Sequence, residues 1–141
     1  MENSILINTN DITKARIKIL GKPGLWNTPH YFLCYNKEDY RNSSIFSFLN
    51  FTSNLMNIIS NNIAGTNSIA VVNTSEMNVQ IFPKTTYIVL NEQYMIGSPV
   101  IPERIKKHSN CFRKDYFDRI KQKINIQKQF RILNAADAIF V

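Results

Sequence analysis

One histidine and two neighbouring hydroxyl residues could do acid–base chemistry at the same place. His30 stands at the start of an apolar run, residues 31–35, and Thr52 and Ser53 follow a second apolar run, residues 45–51. If these runs are antiparallel strands of a hairpin, the start of the first lies beside the end of the second. An imidazole exchanges protons near neutral pH, and hydroxyl groups can hold a phosphate. We therefore predict a catalytic group of His30, Thr52 and Ser53.

The same three residues also fit a structural interpretation. His30 would then be a loop histidine, and Thr52 with Ser53 would cap a helix that follows them. The position of the histidine relative to the hydroxyl pair decides between the two interpretations.

Metal and nucleophile chemistry have little support in the sequence. The chain has two histidines and two cysteines: His30, Cys34, His108 and Cys111. His30 and Cys34 stand four residues apart in a strand-like run, which separates them by about 13 Å and prevents them from sharing one ion. The chain also lacks a phosphate-binding glycine loop and a local signature of an activated serine or cysteine. We therefore expect no metal and no cofactor.

Positive charge is concentrated in the last third of the chain. The net charge is +7, and residues 101–130 hold nine Lys and Arg against three Asp and Glu. A local excess of this kind is typical of a surface that contacts phosphates, and a solvated helix face can have the same composition. We predict nucleic-acid contacts at five cationic residues: Lys22, Lys84, Arg113, Lys114 and Lys121.

Hydrophobic periodicity predicts mainly strands. Alternation or short apolar runs indicate strands at residues 15–20, 31–35, 45–51, 68–72, 79–82 and 85–90. In the first of these, Ile17 and Ile19 share one face, and Arg16 and Lys18 share the other. Residues 36–43 are polar and are expected to form the loop of the hairpin.

Two segments have helical spacing, and the C-terminal segment is ambiguous. We predict a mid-chain helix at residues 55–63 and a basic helix at residues 111–124, the latter capped by Ser109 or Asn110. Residues 131–141 are expected to form a last strand followed by a helical turn. Strands and helices in this order predict an α+β fold.

Length and composition are those of a small globular protein. The 141 residues fit a single domain, residues 1–141, with a sizeable core. Cys34 and Cys111 lie among apolar residues, which favours core thiols over a disulfide framework. The chain shows no signal-peptide pattern and no apolar run near the roughly 20 residues that span a bilayer. We therefore expect a cytoplasmic protein without a membrane segment.

The order of these features resembles a family of toxin barrels. The features are His30-Tyr31-Phe32-Leu33-Cys34-Tyr35, an apolar strand that ends in Thr52-Ser53, a strand with Thr86-Tyr87-Ile88-Val89-Leu90, and a helix with Tyr116-Phe117 and Ile120. Over residues 14–124 they are similar to the PemK/MazF-like and ToxN-like toxins. The resemblance implies a small, strongly curved antiparallel sheet or SH3-like barrel with attached helices. It also implies a metal-independent endoribonuclease that cuts single-stranded RNA and is neutralised by an antitoxin.

The match to the family's site residues is narrow. The family's threonine-serine pair, which binds phosphate near the cleavage point, corresponds to Thr52 and Ser53. The family often has arginine-proline before its first long strand, where this chain has Thr28-Pro29-His30. Asn54 stands where ToxN-like members have a lysine. Both differences remove a cation from the site.

Three functions therefore stay open at the level of sequence. The first is an RNA-binding protein that acts as a toxin-like endoribonuclease. The second is a non-catalytic nucleic-acid-binding module that uses the basic helix. The third is a protein-interaction subunit of a larger assembly, in which the basic helix meets an acidic partner and residues 132–141 close the interface. A homodimer is compatible with each of them.

Overall fold

In the residues that the structure describes, the fold consists of eight β-strands, a 3-10 helix and one amphipathic α-helix. The computed structural model describes residues 4–19, 29–41, 43–53, 68–97, 101–102, 107–127 and 131–141. In chain order the elements are β1 (Ser4–Ile5), β2 (Ile12–Ile19), β3 (His30–Asp39), β4 (Ser44–Thr52), β5 (Ile69–Val71), a 3-10 helix (Thr74–Glu76), β6 (Tyr87–Gly97), β7 (Ile101–Pro102), α1 (Lys114–Asn125) and β8 (Arg131–Phe140).

A six-stranded, mainly antiparallel sheet dominates this architecture. Its strand order is β4-β3-β2-β8-β6-β5, and β6 also pairs with β4. β6 and β8 run parallel, whereas the other neighbours in this sheet are antiparallel. β1 and β7 form a separate two-stranded sheet. The predicted α+β class is confirmed, and the strong curvature and SH3-like barrel remain predictions.

The hairpin of β3 and β4 follows the prediction but is longer. Phe32 pairs with Asn50, and Asp39 pairs with Ser44, so the two strands are antiparallel. The loop predicted at residues 36–43 is wrong in its first half, because β3 continues to Asp39. The polar residues of this part of β3 are half-buried or exposed, and the Lys37 ammonium lies 5.5 Å from the centroid of the Phe46 ring.

Other predicted strands differ in extent or are absent. β2 begins at Ile12, three residues before the predicted strand, and β6 extends to Gly97, beyond the predicted end at residue 90. Residues 79–82 form no strand, and their apolar side chains pack half-buried against the core instead.

The C-terminal segment belongs to the chain's own sheet. β8 runs to Phe140 and pairs with β2 on one side and β6 on the other. The helical turn predicted after the last strand is therefore wrong, because ladder pairing continues almost to the end of the chain. The predicted mid-chain helix, residues 55–63, lies outside the described residues.

The basic helix α1 forms as predicted, but hydrogen bonds other than the predicted cap fix the segment before it. Arg113 occupies the N-cap position and makes no side-chain capping bond, so the predicted Ser109 or Asn110 cap is wrong. The buried Asn10 side chain holds the preceding residue instead: its amide donates to the Phe112 carbonyl at 2.8 Å, and its oxygen accepts from the Phe112 N–H at 3.1 Å. No helix in the described part of the chain is long and apolar enough to span a membrane.

Two hydrophobic clusters cover the two faces of the sheet. The first lies under α1 and includes Phe117, Ile120 and Ile124 of the helix together with Leu33 of β3. The second includes Phe32 and Cys34, the neighbours of Leu33 in the same strand. Successive strand residues point to opposite faces, so the two clusters lie on opposite sides of β3. The helix thus covers one face, and side chains of the sheet strands with Ile7 fill the other.

Candidate active site

A groove lies where three strands of the sheet begin or end. β3 begins at His30, β4 ends at Thr52, and β6 begins at Tyr87, which pairs with Thr52. We call it the strand-end groove. Its volume is about 560 Å³, and its lining residues are Pro29, His30, Tyr31, Phe51, Thr52, Ser53, Phe82, Pro83, Lys84 and Thr86. The three predicted catalytic residues and one predicted cation therefore line the same groove.

The hairpin register explains why His30 and Thr52 line the same groove. The pairs Phe32 with Asn50 and Leu33 with Leu49 define the register of β3 and β4. When this register is continued by two residues, His30 stands opposite Thr52. Directly opposed residues of antiparallel strands have Cβ atoms about 4.5–5.5 Å apart. The strand pairing thus brings an imidazole and a hydroxyl to the same end of the sheet.

Partial burial controls the charge of His30. The side chain is half-buried, and burial lowers its pKa below the ordinary value of 6.5, because the charged imidazolium loses water contacts. His30 is therefore mostly neutral at pH 7. A neutral imidazole has a nitrogen lone pair that can accept a proton, which is the state a general base requires.

Aromatic side chains form one wall of the groove. The rings of Tyr31 and Phe82 meet edge to face with centroids 5.4 Å apart, and Phe51 lies 4.8 Å from Phe82. Phe51 also stacks on the buried Phe112 at 6.4 Å, which links this wall to the segment that leads into α1. Exposed edges of such a wall can stack on nucleobases.

One lysine lines the groove, and a second lies beside the ring of a lining residue. Lys84 lines it and is exposed, and the buried Thr86 hydroxyl donates to the Lys84 carbonyl at 3.0 Å, which holds the local turn. Lys14 of β2 pairs with Tyr31 in the sheet, and its ammonium lies 5.3 Å from the centroid of that ring. Lys84 therefore lines the groove, whereas Lys14 lies beside one of its lining rings.

The predicted nucleic-acid contacts on the helix do not line this groove. Arg113 and Lys114 are exposed at the start of α1, beyond Phe112. Lys121 lines a different groove, between α1 and the sheet. The fifth predicted contact, Lys22, lies outside the described residues.

Sequence reasoning did not predict Tyr31 and Phe82, which line the groove, or Lys14, which lies beside Tyr31. Lys14 was missed because the predicted strand began at residue 15, although it has the same alternation as Arg16 and Lys18. Phe82 was assigned to a strand that does not form. Tyr31 was treated as core, and its position beside His30 was the available signal.

In the described residues, the cysteines supply no reactive thiol to this groove, and the residue types that bind metals form no metal site. Cys34 and Cys111 are buried and free, and burial raises the pKa of each thiol to about 12. They are therefore core residues, as predicted, and poor nucleophiles. Over the described ranges, no three His, Cys, Asp or Glu side chains form a group that could hold a metal ion.

The comparisons with known proteins give no match: no family model, no curated protein and no solved structure is similar to this chain.

Proposed function

We propose that this protein binds single-stranded RNA and cleaves it in the strand-end groove as a metal-independent, toxin-like endoribonuclease. The observation that carries the proposal is the position of His30, Thr52, Ser53 and Lys84 around one groove of about 560 Å³. A base, hydroxyl donors and a cation are the groups that this chemistry needs.

Each group has a role in the reaction. Neutral His30 takes the proton of a ribose 2′-hydroxyl, whose oxygen then bonds to the adjacent phosphorus. The bond from phosphorus to the 5′ oxygen breaks, and that oxygen leaves with a proton from water. Thr52 and Ser53 donate hydrogen bonds to the other phosphate oxygens, and Lys84 offsets their growing charge. The products are a 2′,3′-cyclic phosphate and a 5′-hydroxyl.

The surroundings of the groove are suited to binding single-stranded RNA. The Tyr31 and Phe82 rings can stack on a base whose phosphate lies near His30. From Lys14, the same face of β2 continues with the exposed Arg16 and Lys18. Residues two apart in a strand are about 6.5–7 Å apart, so these cations form a row along which a phosphate backbone can lie.

A strongly curved, SH3-like sheet is part of the same proposal. The pairing of β6 with β4 supports it, because β4 then has a partner along both edges. The second hydrophobic cluster supports it as well, since it collects side chains from β2, β3, β4, β6 and β8. Strands lie nearly 5 Å apart in a sheet, so five strands bring side chains into one cluster when the sheet curves.

The test is incubation of the full chain with single-stranded RNA in EDTA. We expect cleavage that leaves 2′,3′-cyclic phosphate ends, and strong loss of cleavage in His30→Ala and Thr52→Ala. Matched controls are His108→Ala and Thr74→Ala, which change the same residue types outside the groove. No cleavage by the wild type, or equal cleavage by all four variants, would contradict the proposal.

A non-catalytic nucleic-acid-binding module is the second candidate. The row of cations on β2 favours it, because phosphate contact needs no catalytic group. Salt-dependent RNA binding without cleavage would select this function over the first.

The proposed setting is the cytoplasm, with an acidic antitoxin as the inhibitory partner. Acidic side chains of such a partner would pair with Lys14, Arg16 and Lys84 and exclude RNA. A soluble poly-glutamate chain is therefore expected to compete with RNA, and competition should be lost in a variant with all three cations replaced by Gln. Unchanged competition in that variant would contradict this partner site. The oligomeric state, including a homodimer, can be measured by light scattering on the same protein.

A further inference from the structure

Five aromatic rings form a continuous series from the strand-end groove to α1. Tyr31, Phe51 and Phe82 line the groove and form its aromatic wall. The centroids of Tyr31 and Phe82 lie 5.4 Å apart, and those of Phe82 and Phe51 lie 4.8 Å apart. Phe51 stacks on Phe112 at 6.4 Å, and Phe112 lies 5.3 Å from Tyr116 of α1. Phe112 is 0% exposed, so the aromatic wall rests on a ring that is fully buried.

The side chain of Asn10 binds both backbone polar groups of Phe112. Its amide donates to the Phe112 carbonyl at 2.8 Å, and its oxygen accepts from the Phe112 N–H at 3.1 Å. The same carbonyl also accepts from the Asn78 side-chain amide at the longer distance of 3.4 Å. Asn10 is 7% exposed, and a buried backbone group without a partner is costly. A shift of Phe112 would therefore break two buried hydrogen bonds to Asn10.

The strand pairing of Phe112 explains why a side chain has to supply these bonds. Phe112 forms an isolated antiparallel β-bridge with Met77. The backbone bonds beside this pair run from the Asn78 N–H to the Cys111 carbonyl and from the Arg113 N–H to the Glu76 carbonyl, both at 2.8 Å. In a pair of this kind, the N–H and carbonyl of the central residue point away from its partner. The Asn10 carboxamide thus takes the place of a further strand on the other side of Phe112.

The backbone conformation of residue 10 allows a clean test of this side chain. Asn10 has φ 68°, in the left-handed region that asparagine and glycine adopt most readily. Its backbone N–H donates to the Cys34 carbonyl at 2.7 Å, and its carbonyl accepts from the Cys111 N–H at 3.0 Å. Glycine at this position can keep the backbone conformation and both backbone bonds. Asn10→Gly therefore removes the two side-chain bonds to Phe112 without adding backbone strain.

We infer that Asn10 is a positioning residue of the strand-end groove, which acts through Phe112 and Phe51 on the rings that face a stacked base. Asn10 is not among the residues that line the groove. Its effect on base stacking rests on the proposed function, whereas its effect on the ring positions does not.

RNA affinity of Asn10→Gly is the first measurement. Single-stranded RNA with 2′-O-methyl groups is the probe, because it lacks the attacking hydroxyl and stays intact. We expect at least fivefold weaker binding by fluorescence anisotropy, which corresponds to about 1 kcal/mol, the lower end of the value for one stacked base. With unmodified RNA at saturation, the cleavage rate should stay within about threefold of the wild type, because the variant loses binding and keeps His30 and Thr52.

Two control variants separate the position of the wall from other effects of the substitution. Asn110→Gly is the same change at another left-handed residue with φ 50°; Asn110 is exposed and accepts from Asn10 at 3.4 Å, so both bonds to Phe112 remain. Ile96→Ala creates a cavity in the second hydrophobic cluster, nine residues along β6 from Tyr87, and lowers the thermal midpoint without touching the wall. Both controls should bind RNA within about twofold of the wild type.

The ring resonances of Tyr31 and Phe82 are the second measurement, made by NMR on the protein without RNA. They should move in Asn10→Gly and keep their wild-type positions in Asn110→Gly and Ile96→Ala. Unchanged resonances in Asn10→Gly, unchanged RNA affinity in that variant, or an equal loss of affinity in Ile96→Ala would overturn the inference. If the wild type binds no RNA, the proposed function fails, and the ring resonances still decide whether Asn10 positions the wall.

Discussion

The strand-end groove and the basic helix α1 differ in how their polar groups are arranged. The groove collects His30, Thr52 and Lys84 from three separate segments of the chain. On α1, Arg119 lies 3.8 Å from Glu76, and Lys121 lines the other groove. The helix has more positive charge in the sequence, but the groove has the complementary groups for chemistry. A count of charges therefore identifies a basic segment, whereas convergence of different groups identifies a site.

The largest expected difference between the two regions is in cleavage rate. His30→Ala removes the proposed general base, and we expect a loss of about 10²- to 10⁴-fold in the rate of RNA cleavage. The helix variant Arg113→Gln should keep the wild-type rate to within about threefold, because its side chain does not line the groove. Single-turnover cleavage of a labelled oligonucleotide gives both rates. Equal losses in the two variants would place the helix in the site.

The aromatic wall should have the next largest effect. Phe82→Ala removes a ring that contacts both Tyr31 and Phe51, and we expect a loss of about 1–3 kcal/mol in RNA binding, the value for one stacked base. Tyr40→Ala is the matched control, since Tyr40 is 55% exposed at the other end of the hairpin. Fluorescence anisotropy with labelled single-stranded RNA measures both affinities. A loss that is equal in the control would show that the wall does not contact RNA.

The salt dependence of RNA affinity should distinguish the cations of β2 from those of α1. The expected effect is smaller than that of the aromatic wall. If Lys14 contacts a phosphate, Lys14→Gln should reduce the slope of log affinity against log salt by about 0.7, the value per contact for single strands. Lys114→Gln should leave the slope unchanged. The measurement is RNA affinity from about 50 to 200 mM salt. The opposite result, with the slope reduced only by Lys114→Gln, would move the RNA path to the helix.

The smallest expected effect is on the pH dependence of the folding stability. The pKa of His30 is lowered by burial, so between that pKa and 6.5 the unfolded chain binds more protons than the folded chain. The stability contribution is therefore fully present above pH 6.5 and is lost as the pH falls through the folded pKa. Thermal midpoints at pH 5.0–7.5 should fall less steeply with acid in His30→Asn than in the wild type. His108→Asn serves as the control, and a wild-type-like slope in His30→Asn would show that His30 is not buried in its neutral form.

Local sequence patterns predicted part of this site. Alternation and apolar runs predicted the hairpin of β3 and β4, and with it the position of His30 and Thr52 at one groove. Pairing of antiparallel strands follows from their order and short connection. Lys84 was predicted from its charge alone. Phe82 and Lys14 could not be assigned, because a loop brings Phe82 to the groove and a neighbouring strand brings Lys14 to the ring of Tyr31.

The sequence alone determined the α+β class, the central hairpin, the amphipathic helix and the core thiols, because these depend on periodicity and on apolar residues close together in the chain. The tertiary structure decided the rest. Residues far apart in the sequence are joined by the parallel pairing of β8 with β6 and by the hydrogen bond from Asn10 to Phe112. The burial of Gln93 also depends on contacts of this kind. Such contacts depend on the packing of the whole sheet, and no local pattern of residues specifies them.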